Sequence, residues 1–254
     1  MNEGSYYRKK LTQNGQTFEL EGMLNEDALH LDKYIINGVD VDLKLYPSRS
    51  SFVLMSDNPQ KEYRIVIEEA IFKCCTMDVG NGIISAHSKT LQEGGMAQYF
   101  FNQSQINNFT IAQGQRNFSE TVFQGKIPHK IVIAFVSSQR YNGNYSLNPF
   151  EFNHYNANTM SVLVNDVCMP HRPLEMNFQK GQFTSALCNV LREHPNVIID
   201  ANSFDNGYSL FVFNVNSSHD EDDLALQNSG NVRLEVQFAE ELPESVQVLV
   251  YGKF

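Results

Sequence analysis

Apolar and polar residues alternate one by one along much of this chain. The runs Val39-Asp40-Val41-Asp42-Leu43-Lys44-Leu45 and Val232-Arg233-Leu234-Glu235-Val236-Gln237-Phe238 show it most plainly. Successive side chains on a strand point to opposite faces, so the alternation buries one face and wets the other. At the helical period the same residues would be scattered around a cylinder. Further strands are predicted over residues 17–24, 51–55, 63–67, 70–74, 97–101, 107–112, 208–215 and 245–251, with Glu68-Glu69 marking a bulge or kink. Residues 131–136 are apolar on both faces, which predicts a central strand covered from both sides. Residues 160–164 and 167–169 flank Asn165-Asp166, a link suited to a tight hairpin.

Helical spacing is rarer. Phe183, Ala186, Leu187, Val190 and Leu191 form one apolar stripe and predict a helix over 182–193. Residues 83–91 predict a short surface helix ended by Gly94-Gly95, and residues 26–31 a helical turn. The fold class predicted is all-β, an antiparallel β-sandwich of jelly-roll type with one or two short helices. Residues 1–16 are polar and predict an irregular arm or linker, and residues 17–254 a single jelly-roll domain.

Composition narrows the function. A chain of 254 residues can bury a core large enough to fold without disulfides or a structural metal. The net charge of −10 repels phosphate backbones, so no direct contact with nucleic acid is expected. Arg8-Lys9-Lys10 is too small a basic cluster to reverse that. Cys74, Cys75, Cys168 and Cys188 show no C-x-x-C spacing and are expected as buried thiols in a reducing compartment. With no apolar leader and no stretch long enough to span a bilayer, neither secretion nor a membrane span is expected. The sequons at Asn102, Asn108, Asn117, Asn144 and Asn216 are read as by-products of an Asn-rich composition.

Catalytic patterns are absent: there is no G-x-S-x-G, no phosphate-cradling glycine loop and no His-Glu-x-x-His. Glu26, Asp27, His30 and Asp32 are a compact group of possible metal ligands, with Glu26 and His30 on one face of a helical turn, and an exposed polar turn explains them equally well. Asp40 and Asp42 share the solvent face of a half-buried strand rather than an acid–base site. His219-Asp220-Glu221-Asp222-Asp223 lacks the spaced ligands and glycine of a calcium loop and reads as an exposed loop. The expectation is no enzyme, with no catalytic residue, cofactor or metal.

Several segments resemble the major capsid proteins of Polinton/Maverick elements and adintoviruses. They are residues 32–55 (DKYIINGVDVDLKLYPSRSSFVLM), 123–136 (FQGKIPHKIVIAFV), 142–156 (NGNYSLNPFEFNHYN), 164–178 (VNDVCMPHRPLEMNF) and 206–215 (NGYSLFVFNV). Asn37, Gly38, Asn148, Pro149, Phe150 and Pro173 are the positions that carry the likeness. The family's members are double jelly-roll proteins whose trimers form capsomers of icosahedral shells. The resemblance implies a structural virion protein whose second, C-terminal jelly roll corresponds to this chain, with another upstream. It implies self-association as a homotrimer, contact with other capsid proteins, and a place in the virion after a stay in the host cytoplasm or nucleus. The alternative is a domesticated, transposon-derived binding module, a lectin-like jelly roll without shell assembly. A cupin-like enzyme would need clustered His and carboxylate ligands that the seven histidines do not supply.

Overall fold

The computed structural model describes residues 3–56, 58, 60, 62–194, 196–215 and 228–254. The strands found there are β1 (Ser104–Ile111), β2 (Asn117–Lys126), β3 (Lys130–Ser137), β4 (Ala157–Val164), β5 (Val167–Glu175), β6 (Leu210–Asn214), β7 (Ser229–Phe238) and β8 (Val246–Lys253). They form two antiparallel four-stranded sheets, ordered β1-β8-β3-β6 and β2-β7-β4-β5. This is the jelly-roll order, and the fold is the all-β sandwich that the alternation predicts.

The alternation explains which side chains meet. From one sheet Ile131, Ile133, Phe135, Phe211, Val248 and Val250 face inward, and from the other Met160, Val162, Leu234, Val236 and Phe238. Each such side chain removed from water contributes roughly 1.5–3 kcal/mol. The central place expected for residues 131–136 is observed, since β3 lies between β8 and β6. Asn165 and Asp166 adopt φ of 49° and 66°, the two left-handed positions of a tight β4–β5 hairpin.

Six short α-helices occur among the described residues, more than the one or two expected. They are α1 (Glu3–Leu11), α2 (Ser50–Val53), α3 (Asn81–Gln92), α4 (Ser138–Tyr141), α5 (Thr184–Glu193) and α6 (Ala201–Asp205). The predicted stripe of α5 is real: Ala186 and Val190 are buried and the helix packs on β6. The polar arm expected over residues 1–16 carries α1, with Arg8, Lys9 and Lys10 in the last turn where the helix dipole favours cations.

Six expected strands are not strands. Residues 17–24, 39–46, 63–67, 70–74 and 97–101 lie outside both sheets, and residues 51–55 overlap α2 instead. Alternation marks a chain as able to lie half-buried on a sheet; it does not supply the partner strand. Conversely β2 escapes the pattern because its apolar residues are Phe118, Val122 and Phe123. A register shift between Thr121 and Phe123 inserts one residue, and Val122 and Phe123 are both buried across it.

The chain divides into two compact units, Met1–Val39 with Met77–Phe101, and Asp40–Thr76 with Asn102–Phe254. In the first unit the Tyr99 hydroxyl accepts from the Ile36 N–H at 3.0 Å and donates to the Tyr34 carbonyl at 3.1 Å. The second unit holds the sandwich.

Candidate interaction site around the Asn148-Pro149-Phe150 turn

The loop that follows α4 is built from its own polar side chains. Ser137 caps α4 by accepting from the Arg140 N–H. Asn144 Oδ1 accepts from the Ser146 N–H at 2.9 Å, and Asn148 Oδ1 from the Phe150 N–H at 3.0 Å. The second bond closes a turn around Pro149, whose ring fixes φ and holds its predecessor extended. Pro149 is buried while Phe150 stays 60% exposed. Arg140 braces the turn from behind, donating to the Asn148 carbonyl at 3.3 Å and pairing with Glu151.

The loop also receives the segment that contains α2. The Tyr145 carbonyl accepts from the Ser56 N–H at 2.8 Å. The Tyr145 hydroxyl accepts from the Tyr63 N–H at 3.2 Å and donates to the Tyr63 carbonyl at 3.0 Å. Phe52 meets Phe150 edge to face with ring centroids 5.7 Å apart. Gly143 makes the approach possible: a Cβ there would stand 2.5 Å from Ser51 Oγ and 2.9 Å from the Phe52 N.

Beyond the turn, His154 stacks on Phe178 with centroids 3.8 Å apart. The Asn156 N–H donates to its Nδ1 at 2.9 Å, which leaves the ring proton on Nε2, 3.5 Å from Asp205. Burial lowers the pKa of His154, with the nearby Asp205 charge pulling the other way. Burial and its hydrogen bond to Glu244 push the Tyr155 phenol well above its ordinary range, so it stays protonated and donates to Glu244 at 2.9 Å.

Of the six positions singled out in the sequence, Asn148, Pro149 and Phe150 therefore form one built turn. Asn37 and Gly38 sit in an exposed turn of the first unit, with Gly38 at φ 88°. Pro173 lies on β5, where a register shift between Met160 and Val162 spares it a ladder bond at the sheet edge, so it sits in a bulged edge strand. Sequence reading missed Tyr63, Gly143 and Tyr145. The signal for Gly143 and Tyr145 is a glycine and a large aromatic set in a mostly polar loop, whereas Tyr63 reads only as the start of a strand.

The other candidates do not gather into a site. His30 Nδ1 lies 3.0 Å from its own turn's Glu26 carbonyl, and no group of three metal-ligating side chains forms among the described residues. Asp42 pairs with Lys44 at 3.0 Å on the exposed surface. The four cysteines are thiols as expected but not buried: Cys74, Cys75 and Cys188 are exposed and Cys168 is half-buried. Cys74 and Cys75 lie outside the sheets, and Cys188 is on the outer face of α5. The acidic run 219–223 lies outside the described residues. No helix among the described residues is long and apolar enough to cross a membrane.

The chain is 24% identical over 250 residues to an uncharacterized protein of Caenorhabditis elegans. That match covers 94% of this chain and 60% of the relative, so the chain spans about three fifths of the curated protein it matches. No family model matches.

Proposed function

We propose that this chain is the C-terminal jelly roll of a double jelly-roll major capsid protein, acting as a building block of an icosahedral shell. The observation that carries the reading is the strand order β1-β8-β3-β6 over β2-β7-β4-β5, an architecture that shell subunits use as a rigid wall. The motif likeness of residues 123–136, 142–156 and 164–178 supports it, because these segments form β3, the braced turn and β5. On this reading Phe150, apolar and presented by a rigid turn, contacts a neighbouring subunit. The partners are further copies, in trimers, and other capsid proteins; the location is the virion.

The test is the mass in solution of the complete encoded polypeptide, by light scattering, with electron microscopy of the same sample. Trimers with hexagonal outline are the expected result. A monomer that forms no capsomer at any salt concentration overturns the reading. A monomer that binds on a glycan array replaces it with the lectin-like module.

A further inference from the structure

Two segments carry strand spelling without a place in either sheet. In the first, Val41, Leu43 and Leu45 alternate with Asp40, Asp42 and Lys44; these three apolar residues are 58%, 39% and 68% exposed. In the second, Tyr63, Ile65 and Ile67 share one parity; Ile65 is 48% and Ile67 64% exposed. A jelly roll closes with eight strands, and all eight are present between Ser104 and Lys253. The sandwich therefore has no vacancy for either segment.

Their chemistry points to a different β-layer. The first segment has one apolar and one charged face, the pattern of an antiparallel strand with a core on one side and water on the other, while the second is apolar but for Arg64, with Val66 65% exposed on the opposite parity. Left exposed, so much aliphatic surface is a liability that a soluble protein normally covers. The start of the second segment is already held, since both backbone groups of Tyr63 bond to the Tyr145 hydroxyl. The segment thus leaves the sandwich from a fixed point with its apolar face uncovered.

We propose that residues 39–46 and 63–67 are strands of a second β-sandwich, completed by further strands of the same polypeptide outside residues 1–254. The occupant is argued from length: two fifths of the Caenorhabditis elegans relative lies outside the match, enough chain for another β-layer. This deepens the capsid reading and rests on it for the class of partner. It moves the boundary between the two jelly rolls to the stretch before Ser104, rather than ahead of residue 17.

Hydrogen exchange read by mass spectrometry tests it, on the 254-residue chain and on the complete polypeptide encoded by the transcript. In the shorter chain, residues 41–45 and 64–67 should exchange at the earliest time point while β3 and β8 stay protected. In the complete polypeptide the same segments should gain protection of about 100-fold or more. V41D/L43D should abolish that gain, and leave β3 and β8 protected as before. Protection of these segments in a dimer of the shorter chain would assign them to a second copy and overturn the proposal. So would a transcript with no further strand-forming sequence, or a complete polypeptide in which they still exchange freely. Protection in a complete polypeptide that stays monomeric would keep this inference and remove the capsid reading; free exchange within a trimer would do the reverse.

Discussion

The Tyr145 hydroxyl engages both backbone groups of Tyr63, accepting from its N–H at 3.2 Å and donating to its carbonyl at 3.0 Å. One phenol thus does for Tyr63 what a neighbouring strand does in a ladder. The rings add an edge-to-face contact with centroids 5.5 Å apart. Tyr145→Phe keeps the ring contact and removes both bonds. Each is worth roughly 0.5–1.5 kcal/mol net, so exchange of the Tyr63 amide should quicken about tenfold while the β3 amides are unchanged. An unchanged Tyr63 amide would mean that the ring contact alone holds the segment.

Gly143 is required for two reasons that act together. Its φ of 93° disfavours any side chain, and Ser51 and Phe52 occupy the space a Cβ would take. Gly143→Ala should cost on the order of 1–3 kcal/mol locally and free the α2 segment from the loop. Limited proteolysis near residues 51–56 reports the release. Resistance equal to that of the parent protein would contradict it.

The sandwich was legible where alternation and turn chemistry agreed. Val232 to Phe238 alternates and is β7; Asn165-Asp166 takes the left-handed turn its residue types favour. The same alternation at Val39 to Leu45 produced no ladder, because spelling describes a strand's faces while pairing depends on distant chain. Strand β2 was illegible for the opposite reason, its bulge placing Val122 and Phe123 side by side. Asn148-Pro149-Phe150 could be read as a turn, since each residue acts locally. Its contact with Phe52 joins residues far apart in sequence, and its brace by Arg140 reaches back eight residues, beyond the span of a turn pattern, so no local pattern reports either.

Phe135 of β3 and Phe238 of β7 meet edge to face between the sheets, centroids 5.5 Å apart. Phe135 is fully buried and also touches Phe211. Phe135→Ala should lower the unfolding free energy by about 3–5 kcal/mol, and Phe135→Leu by much less. Urea unfolding followed by tyrosine fluorescence checks both. A loss below about 1 kcal/mol for the alanine variant would show that the core collapses around the gap.

Lys130 and Glu193 pair at 3.3 Å with their side chains 4% and 14% exposed, tying β3 to the end of α5. Removing one partner strands the other charge away from water. Lys130→Met should cost about 3 kcal/mol, and Lys130→Met with Glu193→Leu should recover most of it. The measurement is a double-mutant cycle by urea unfolding. A double variant no better than the single would mean that the pair contributes net attraction beyond its own desolvation.

His154 gives the fold a pH dependence whose sign follows from its surroundings. Burial favours the neutral ring in the folded protein, and Asp205 only partly offsets it, so the folded pKa lies below 6.5. The unfolded chain then binds the proton more readily, and the stability of the neutral ring is fully present above 6.5. It is lost progressively as the pH falls through 6.5 toward the lower folded value. Urea unfolding of the parent protein and His154→Gln, between about pH 8 and about pH 5.5, isolates this contribution, since carboxylates common to both cancel. The difference in unfolding free energy should be constant above 6.5 and shift in favour of the variant below it. Parallel curves throughout would show that His154 titrates alike in both states. The stack on Phe178 would then hold the charged ring as readily as the neutral one.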